Sequence, residues 1–176
     1  MRLEQLLQQL GDQKTPPVER WNPDFCGDLN MQIRRNGDWF YEGTPIGRPA
    51  LVKLFASVLK REGDDYFLVT PVEKVGLTVE ATPFIAVTAE RIEDTWIVTN
   101  NLGERQPLDA DHPLDTQTDA QLPTMIWRRN LPARIHQNLM YQWQDWALEQ
   151  GSLDEAGQLW LDSGGERFLL AQLPTD

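Results

Sequence analysis

NMQIRRNGDWFYEGTPIGRPALVKLF, residues Asn30–Phe55, decides how this chain is read. Two strand-like runs flank Asn36-Gly37, the dipeptide that a type I′ hairpin turn prefers because both central residues need positive φ. The second run ends at Gly43. Gly43, Pro45, Gly47 and Pro49 then punctuate a short loop that contains Arg48. An amphipathic helix follows at once: Leu51, Leu54, Phe55, Val58 and Leu59 recur at i, i+3, i+4, i+7 and i+8. Pro49 suits the first helical position, where no amide donor is needed. The pattern predicts a helix from Pro49 to about Arg61, with Lys60 and Arg61 opposing the negative end of its dipole and Gly63 as the stop.

Outward from this block, residues 1–10 read as a short helix with Leu3, Leu6, Leu7 and Leu10 on one face, and residues 11–29 as loop. Downstream, strands are expected near 66–70 and 74–79, broken by Pro71. FIAVTAERI and TWIVTN form a hairpin around Glu93-Asp94, and residues 101–123 are a polar surface connection. TMIWRR is a strand. Pro132 then starts a helix to about Glu149 with Ile135, Leu139, Trp143 and Trp146 inward, and a last hairpin turns at Gly164-Gly165. Pro49-Ala50 in the first half and Pro132-Ala133 in the second occupy corresponding places in this order. The reading is an α+β chain of two small domains, 1–81 and 82–176, built from a duplicated strand–helix–hairpin unit with antiparallel sheets.

Composition narrows function by exclusion. The 176 residues carry a formal charge of −11, which repels phosphate backbones and argues against general nucleic-acid binding. No apolar run approaches the roughly 20 residues of a membrane-spanning helix, so membrane insertion is not expected. The N-terminus lacks the apolar core of a secretory signal and a single cysteine makes no disulfide framework, so a cytoplasmic location is expected. The common nucleotide-loop, zinc-protease and serine-hydrolase motifs are missing. His112 and His136 have no partner at metal-ligand spacing. Cys26, followed by Asp28, reads as a small buried apolar residue rather than a nucleophile.

Charge is unevenly spread. Arg34–Arg61 holds six basic residues and only Asp38 and Glu42 as acids, a basic island within an acidic chain. A helix N-terminus offers free amide donors and partial positive charge. Arg48 at its mouth, Lys53 one turn on and Arg34 are therefore candidates to hold an anion, with Asp28, Glu42, Glu73 and Lys74 as further polar contacts. An Arg48–Glu42 ion pair with a purely structural role is the alternative, and the spacing leaves both open. Three functional classes follow: a binding protein for a small anionic ligand, a protein-interaction module presenting the Trp-bearing second half and its acidic connection, and an enzyme using Asp28 and Glu42, or Cys26.

The segments FCGDLNMQI, GDWFYEGTPIGRPALVKLFASVLKRE, DYFLVTPVEKVGLTVE and TPFIAV, and more faintly the Trp127–Pro132 segment and the LWLDSGG hairpin, resemble a bacterial family catalogued as domain of unknown function 1285. The chain departs from the family pattern at Asn30 and at Ala81-Thr82, where acidic residues are expected. The resemblance implies a duplicated two-part core whose C-terminal part is superficially like pleckstrin-homology folds. It also implies a pocket between the two parts for a nucleotide-like ligand and a signalling role. No cofactor beyond that nucleotide-like ligand is implied.

Overall fold

The structure, a computed structural model, describes residues 5, 6, 8, 9, 16–116 and 123–172. Gln5, Leu6, Gln8 and Gln9 are helical and Leu6 is buried; Leu3, Leu7 and Leu10 lie outside the described residues. The chain divides into two compact units, Met1–Ala81 and Thr82–Asp176, and its class is α+β.

Unit 1 contains β1 (Phe25–Ile33), β2 (Trp39–Tyr41), β3 (Thr44–Pro45), α1 (Pro49–Ser57), β4 (Leu59–Glu62), β5 (Asp65–Val69) and β6 (Lys74–Val79). They form one sheet in the order β3-β2-β1-β6-β5-β4. Each half of that sheet is an antiparallel meander, but the central pair β1–β6 is parallel. A parallel neighbour needs a crossover, and α1 lies within it. The sheet is therefore mixed, not purely antiparallel. Leu29, Met31, Ile33, Trp39, Leu68 and Val75 are buried on one side of it. The helix covers that side with Val52, Phe55 and Ala56, and the Phe55 ring stacks on Trp39 at 6.5 Å and 20°.

Three local expectations change here. The helix ends at Ser57, so Lys60 and Arg61 stand on β4. Leu59 pairs with Leu68 there, and cross-strand burial of two leucines outweighs one more helical turn. The hairpin between β1 and β2 is a type I turn, with Gly37 N–H donating to the Arg34 carbonyl at 2.8 Å, followed by Gly37 at φ 92. Asn36 is not at positive φ; the residues at φ 51 and 80 that meet the type I′ requirement are Glu42 and Gly43, between β2 and β3. The stretch 11–29 is not all loop: a 3-10 turn spans Val18–Arg20, and β1 begins at Phe25. Cys26 is exposed on that strand instead of buried.

Unit 2 contains β7 (Phe84–Ile92), β8 (Thr95–Asn100), β9 (Arg105–Pro107), β10 (Leu114–Asp115), β11 (Thr124–Arg128), β12 (Leu131–Ile135), α2 (Gln137–Glu149), β13 (Gln158–Ser163) and β14 (Glu166–Gln172). Its six-stranded sheet runs β10-β11-β12-β7-β8-β9, with β12–β7 parallel. Numbered within each unit, this is the order of unit 1: two meanders joined by a parallel pair of the first and sixth strands. The duplication is thus a duplication of sheets.

The helices are not equivalent. Pro132-Ala133 lies inside β12, not at a helix start. Pro132 faces Ile126 of β11 but precedes the first residue paired with β7, Ala133, so its missing amide costs no bond on the β7 side. The helix starts after His136, whose Nδ1 accepts the Asn138 amide at 3.1 Å. Leu139, Met140, Trp143 and Ala147 are its buried side; Trp146 is half-buried, and Ile135 belongs to the strand. Trp143 meets Trp96 of β8 at 6.3 Å. The β13–β14 hairpin is tied to β8 through Ser163, whose Oγ accepts the Trp96 amide at 2.8 Å and donates to the Leu108 carbonyl at 2.7 Å. The connection 101–123 also contains two short strands, β9 and β10.

Candidate functional site on the open face of the first sheet

Alternation along β1, β5 and β6 leaves one face of the unit 1 sheet away from α1. Directly paired residues point the same way, so Phe67 and Gly76, and Asp65 and Thr78 two positions on, share this face with Lys74. On β1, Phe25 pairs with Lys74 and Asp28 with Gly76, three residues opposite two. The extra residue is a bulge, with Gly27 at φ 101. Without it, Phe25 and Asp28 would point to opposite sides; with it, both join the outer face.

A cavity of about 500 Å3 opens there, within the usual range for small-molecule sites. Phe25 and Phe67 supply its aromatic wall, and Asp28, Asp64, Asp65 and Lys74 its charges. The Phe25 and Phe67 rings meet edge to face at 5.8 Å and 80°, leaving Phe25 55% exposed. Gly76 forms the floor. A Cβ added there would run into the Asp28 carboxylate, so the glycine is what lets that carboxylate lie against the sheet.

The charges are partly committed. Lys74 Nζ donates to Glu62 Oε2 at 2.6 Å and sits 4.5 Å from the centroid of the Phe67 ring. Lys60 approaches the other Glu62 oxygen at 3.6 Å. The Lys74 hydrogen bond holds the Glu62 carboxyl below its ordinary value against an opposing effect of burial. Arg61 lies 3.8 Å from Asp64. Burial raises the Tyr66 phenol, with Arg61 pulling the other way. Asp28 and Asp65 make no ion pair with any described residue.

Of the seven residues singled out in the sequence, Asp28 and Lys74 line this cavity. Glu73 is half-buried in the β5–β6 turn, where its amide donates to Thr70 Oγ1 at 2.9 Å. Arg34 stacks its guanidinium 3.7 Å above Phe40 near the first hairpin. Glu42, Arg48 and Lys53 are exposed. Arg48 is the N-cap residue of α1 without a side-chain capping bond, and no Arg48–Glu42 ion pair forms. Arg48 therefore does not serve as the partner of Glu42; it stands exposed at the helix mouth and does not line the cavity. Phe25, Asp65, Phe67 and Gly76 were not singled out. The signal for them was Gly76 itself: a lone glycine in a strand run marks a close approach.

Among the described residues no group of three or more His, Cys, Asp or Glu could hold a metal ion. No described helix is long and apolar enough to cross a membrane.

Models of both parts of one family match the chain: the N-terminal domain of DUF1285, a domain of unknown function, over residues 16–82, and the C-terminal domain of the DUF1285 protein of unknown function over residues 83–170. The chain belongs to the DUF1285 family. A crystal structure of a DUF1285 family protein from Silicibacter pomeroyi DSS-3 is similar at 37% identity and a TM-score of 0.82, covering 97% of this chain and 95% of that one. Another, of a DUF1285 family protein from Shewanella baltica OS155, is similar at 32% identity and a TM-score of 0.53, covering 65% of this chain and 89% of that one. No curated protein matches.

Proposed function

We propose that this DUF1285 protein is a non-enzymatic binding protein that takes a small molecule into the cavity on the outer face of its first sheet. The observation that carries the reading is the bulge in β1. A strand built only to cover a core has no use for an extra residue that turns Phe25 outward and sets Asp28 over Gly76. Here it assembles an aromatic corner and a carboxylate around about 500 Å3. Binding sites of this size combine apolar walls with a few placed polar groups, which is what these residues offer. A signalling role would require that occupancy alter a surface read by a partner, and it depends on this binding step.

The small anionic or nucleotide-like ligand expected from the sequence has its own support. Arg48 and Lys53 stand exposed on α1 without ion-pair partners among the described residues. They do not line the cavity, so the two sites make separable predictions. Thermal-shift screening of the full chain against nucleotides, small phosphates, carboxylates and amines, with Phe25→Ala and Arg48→Ala in parallel, tests both. A ligand at about 100 times its Kd adds about 2.7 kcal/mol. A shift lost in Phe25→Ala and kept in Arg48→Ala supports the cavity. The reverse moves the site to the helix mouth, and no shift with any compound refutes the binding reading.

A further inference from the structure

Resting on the reading that this cavity binds a small molecule, we infer that its ligand is an organic cation: an ammonium or similar N–H-bearing group carried on a planar or aromatic body. The cation that lines the cavity is already engaged. Lys74 donates to Glu62 at 2.6 Å, and Lys60, beside the cavity, approaches the same carboxylate at 3.6 Å. What is left uncommitted is negative: Asp28 on β1 and Asp65 on β5. An incoming phosphate or carboxylate would meet both of these carboxylates, and each lysine it recruited would have to leave Glu62. An incoming ammonium meets Asp28 with no such exchange.

The walls point the same way. Phe25 and Phe67 stand at 80°, so their rings form a corner. Aromatic corners backed by carboxylates recognise cations through the negative ring face. The chain supplies its own example: the Lys74 ammonium rests 4.5 Å from the Phe67 centroid. That occupies one side of Phe67, and the exposed ring of Phe25 offers the remaining surface. Gly76 completes the device, because the space that a side chain would fill holds the Asp28 carboxylate instead.

Three probes with one body and different charge test the sign: 2-phenylethylamine, 2-phenylethanol and phenylacetate. They are titrated into the isotopically labelled full chain while the amides of Phe67, Gly76 and Thr78 are followed by NMR. The expected order is amine tightest by about tenfold over the alcohol, and acid weakest, with the amine's advantage shrinking as salt is added. Asp28→Asn, an exposed and nearly isosteric change, is expected to bring the amine down to the alcohol. If the acid or the alcohol shifts these amides as tightly as the amine, the cation inference is overturned while the cavity still binds. If Asp28→Asn keeps the full preference, the role given to Asp28 is wrong. If none of the three probes moves these amides at millimolar concentration, the cavity reading falls with the inference.

Discussion

Gly76→Ala separates site from fold. Gly76 is buried in the middle of β6 and its φ is not positive, so its backbone accepts an alanine. In a strand, alanine is favoured over glycine by roughly 0.5–1 kcal/mol, mainly because the unfolded chain loses freedom. Against this, the new methyl would collide with the Asp28 carboxylate, with Asp28 Cγ 3.5 Å and Phe25 Cε2 3.7 Å away as ordinary contacts. The colliding atom is the end of an exposed side chain, which can turn to another rotamer at a cost of roughly 0.5–1.5 kcal/mol at most. The two terms nearly cancel, and the expected change in urea-unfolding free energy is within about 1 kcal/mol of zero. Asp28 is nonetheless displaced from the floor, so the amine preference proposed above is expected to fall by about tenfold. Denaturation and probe titration on the same sample give both values. A loss of more than about 3 kcal/mol would mean that Asp28 cannot turn and that the contact is part of the packed structure. Unchanged stability with unchanged amine binding would refute the idea that Gly76 exists to seat that carboxylate.

Four further outcomes follow from the same geometry. Glu62→Gln leaves Lys74 and Lys60 without the negative charge they share and is expected to cost up to about 1 kcal/mol at neutral pH, the pair being partly exposed. Because the folded Glu62 carboxyl is held below its ordinary value of 4.5, its contribution is complete above that pH and fades as pH falls through the folded value; urea midpoints of wild type and variant should therefore converge in acid. Gly164→Ala should destabilise unit 2 by about 2 kcal/mol or more, because φ 60 is strained for alanine and its Cβ would lie 2.8 Å from Asp109 Cβ, as calorimetry can read. Ser163→Ala strands the Trp96 amide and the Leu108 carbonyl, with an expected loss of about 1–3 kcal/mol in chemical denaturation. Phe55→Ala opens the contact of α1 with Trp39 and should cost about 3–5 kcal/mol, seen as a fall in Trp fluorescence midpoint.

The fold was legible wherever local chemistry and tertiary pairing agree. Glu93-Asp94 and Gly164-Gly165 are the hairpin turns their flanking alternation predicts, and β5 and β6 stop on either side of Pro71 as expected. It was misread where a residue type has two uses. Proline before an apolar run starts α1 at Pro49, yet Pro132 in the same setting enters a strand, because β12 finds β11 on one side and β7 on the other. Lys60 and Arg61 suit a helix C-terminus as well as an edge strand, and only the partner strand at Tyr66–Leu68 decides between them. The parallel β1–β6 and β7–β12 pairs join residues more than 40 positions apart in sequence, and no local pattern announces such a pairing.

The site was harder to read because charge along the chain is not charge on a face. Arg34–Arg61 is a basic island only in one dimension. Folded, Arg34 lies over Phe40, Lys60 turns to Glu62, and Arg48 and Lys53 stay on the helix. The residues that do converge, Phe25, Asp28, Asp65, Phe67, Lys74 and Gly76, come from three strands, and each by itself looks like ordinary strand or turn sequence. Two signals in FCGDLNMQI and KVGLTV were nevertheless available: a glycine inside each run, one for a bulge and one for a close approach. Neither glycine has a local reason. Gly27 is needed only because β1 must place both Phe25 and Asp28 beside β6, and Gly76 only because Asp28 then lies against it. The two exceptions to good strand sequence therefore explain each other across the β1–β6 pair, and the point at which they do so is the carboxylate on which the cation inference depends.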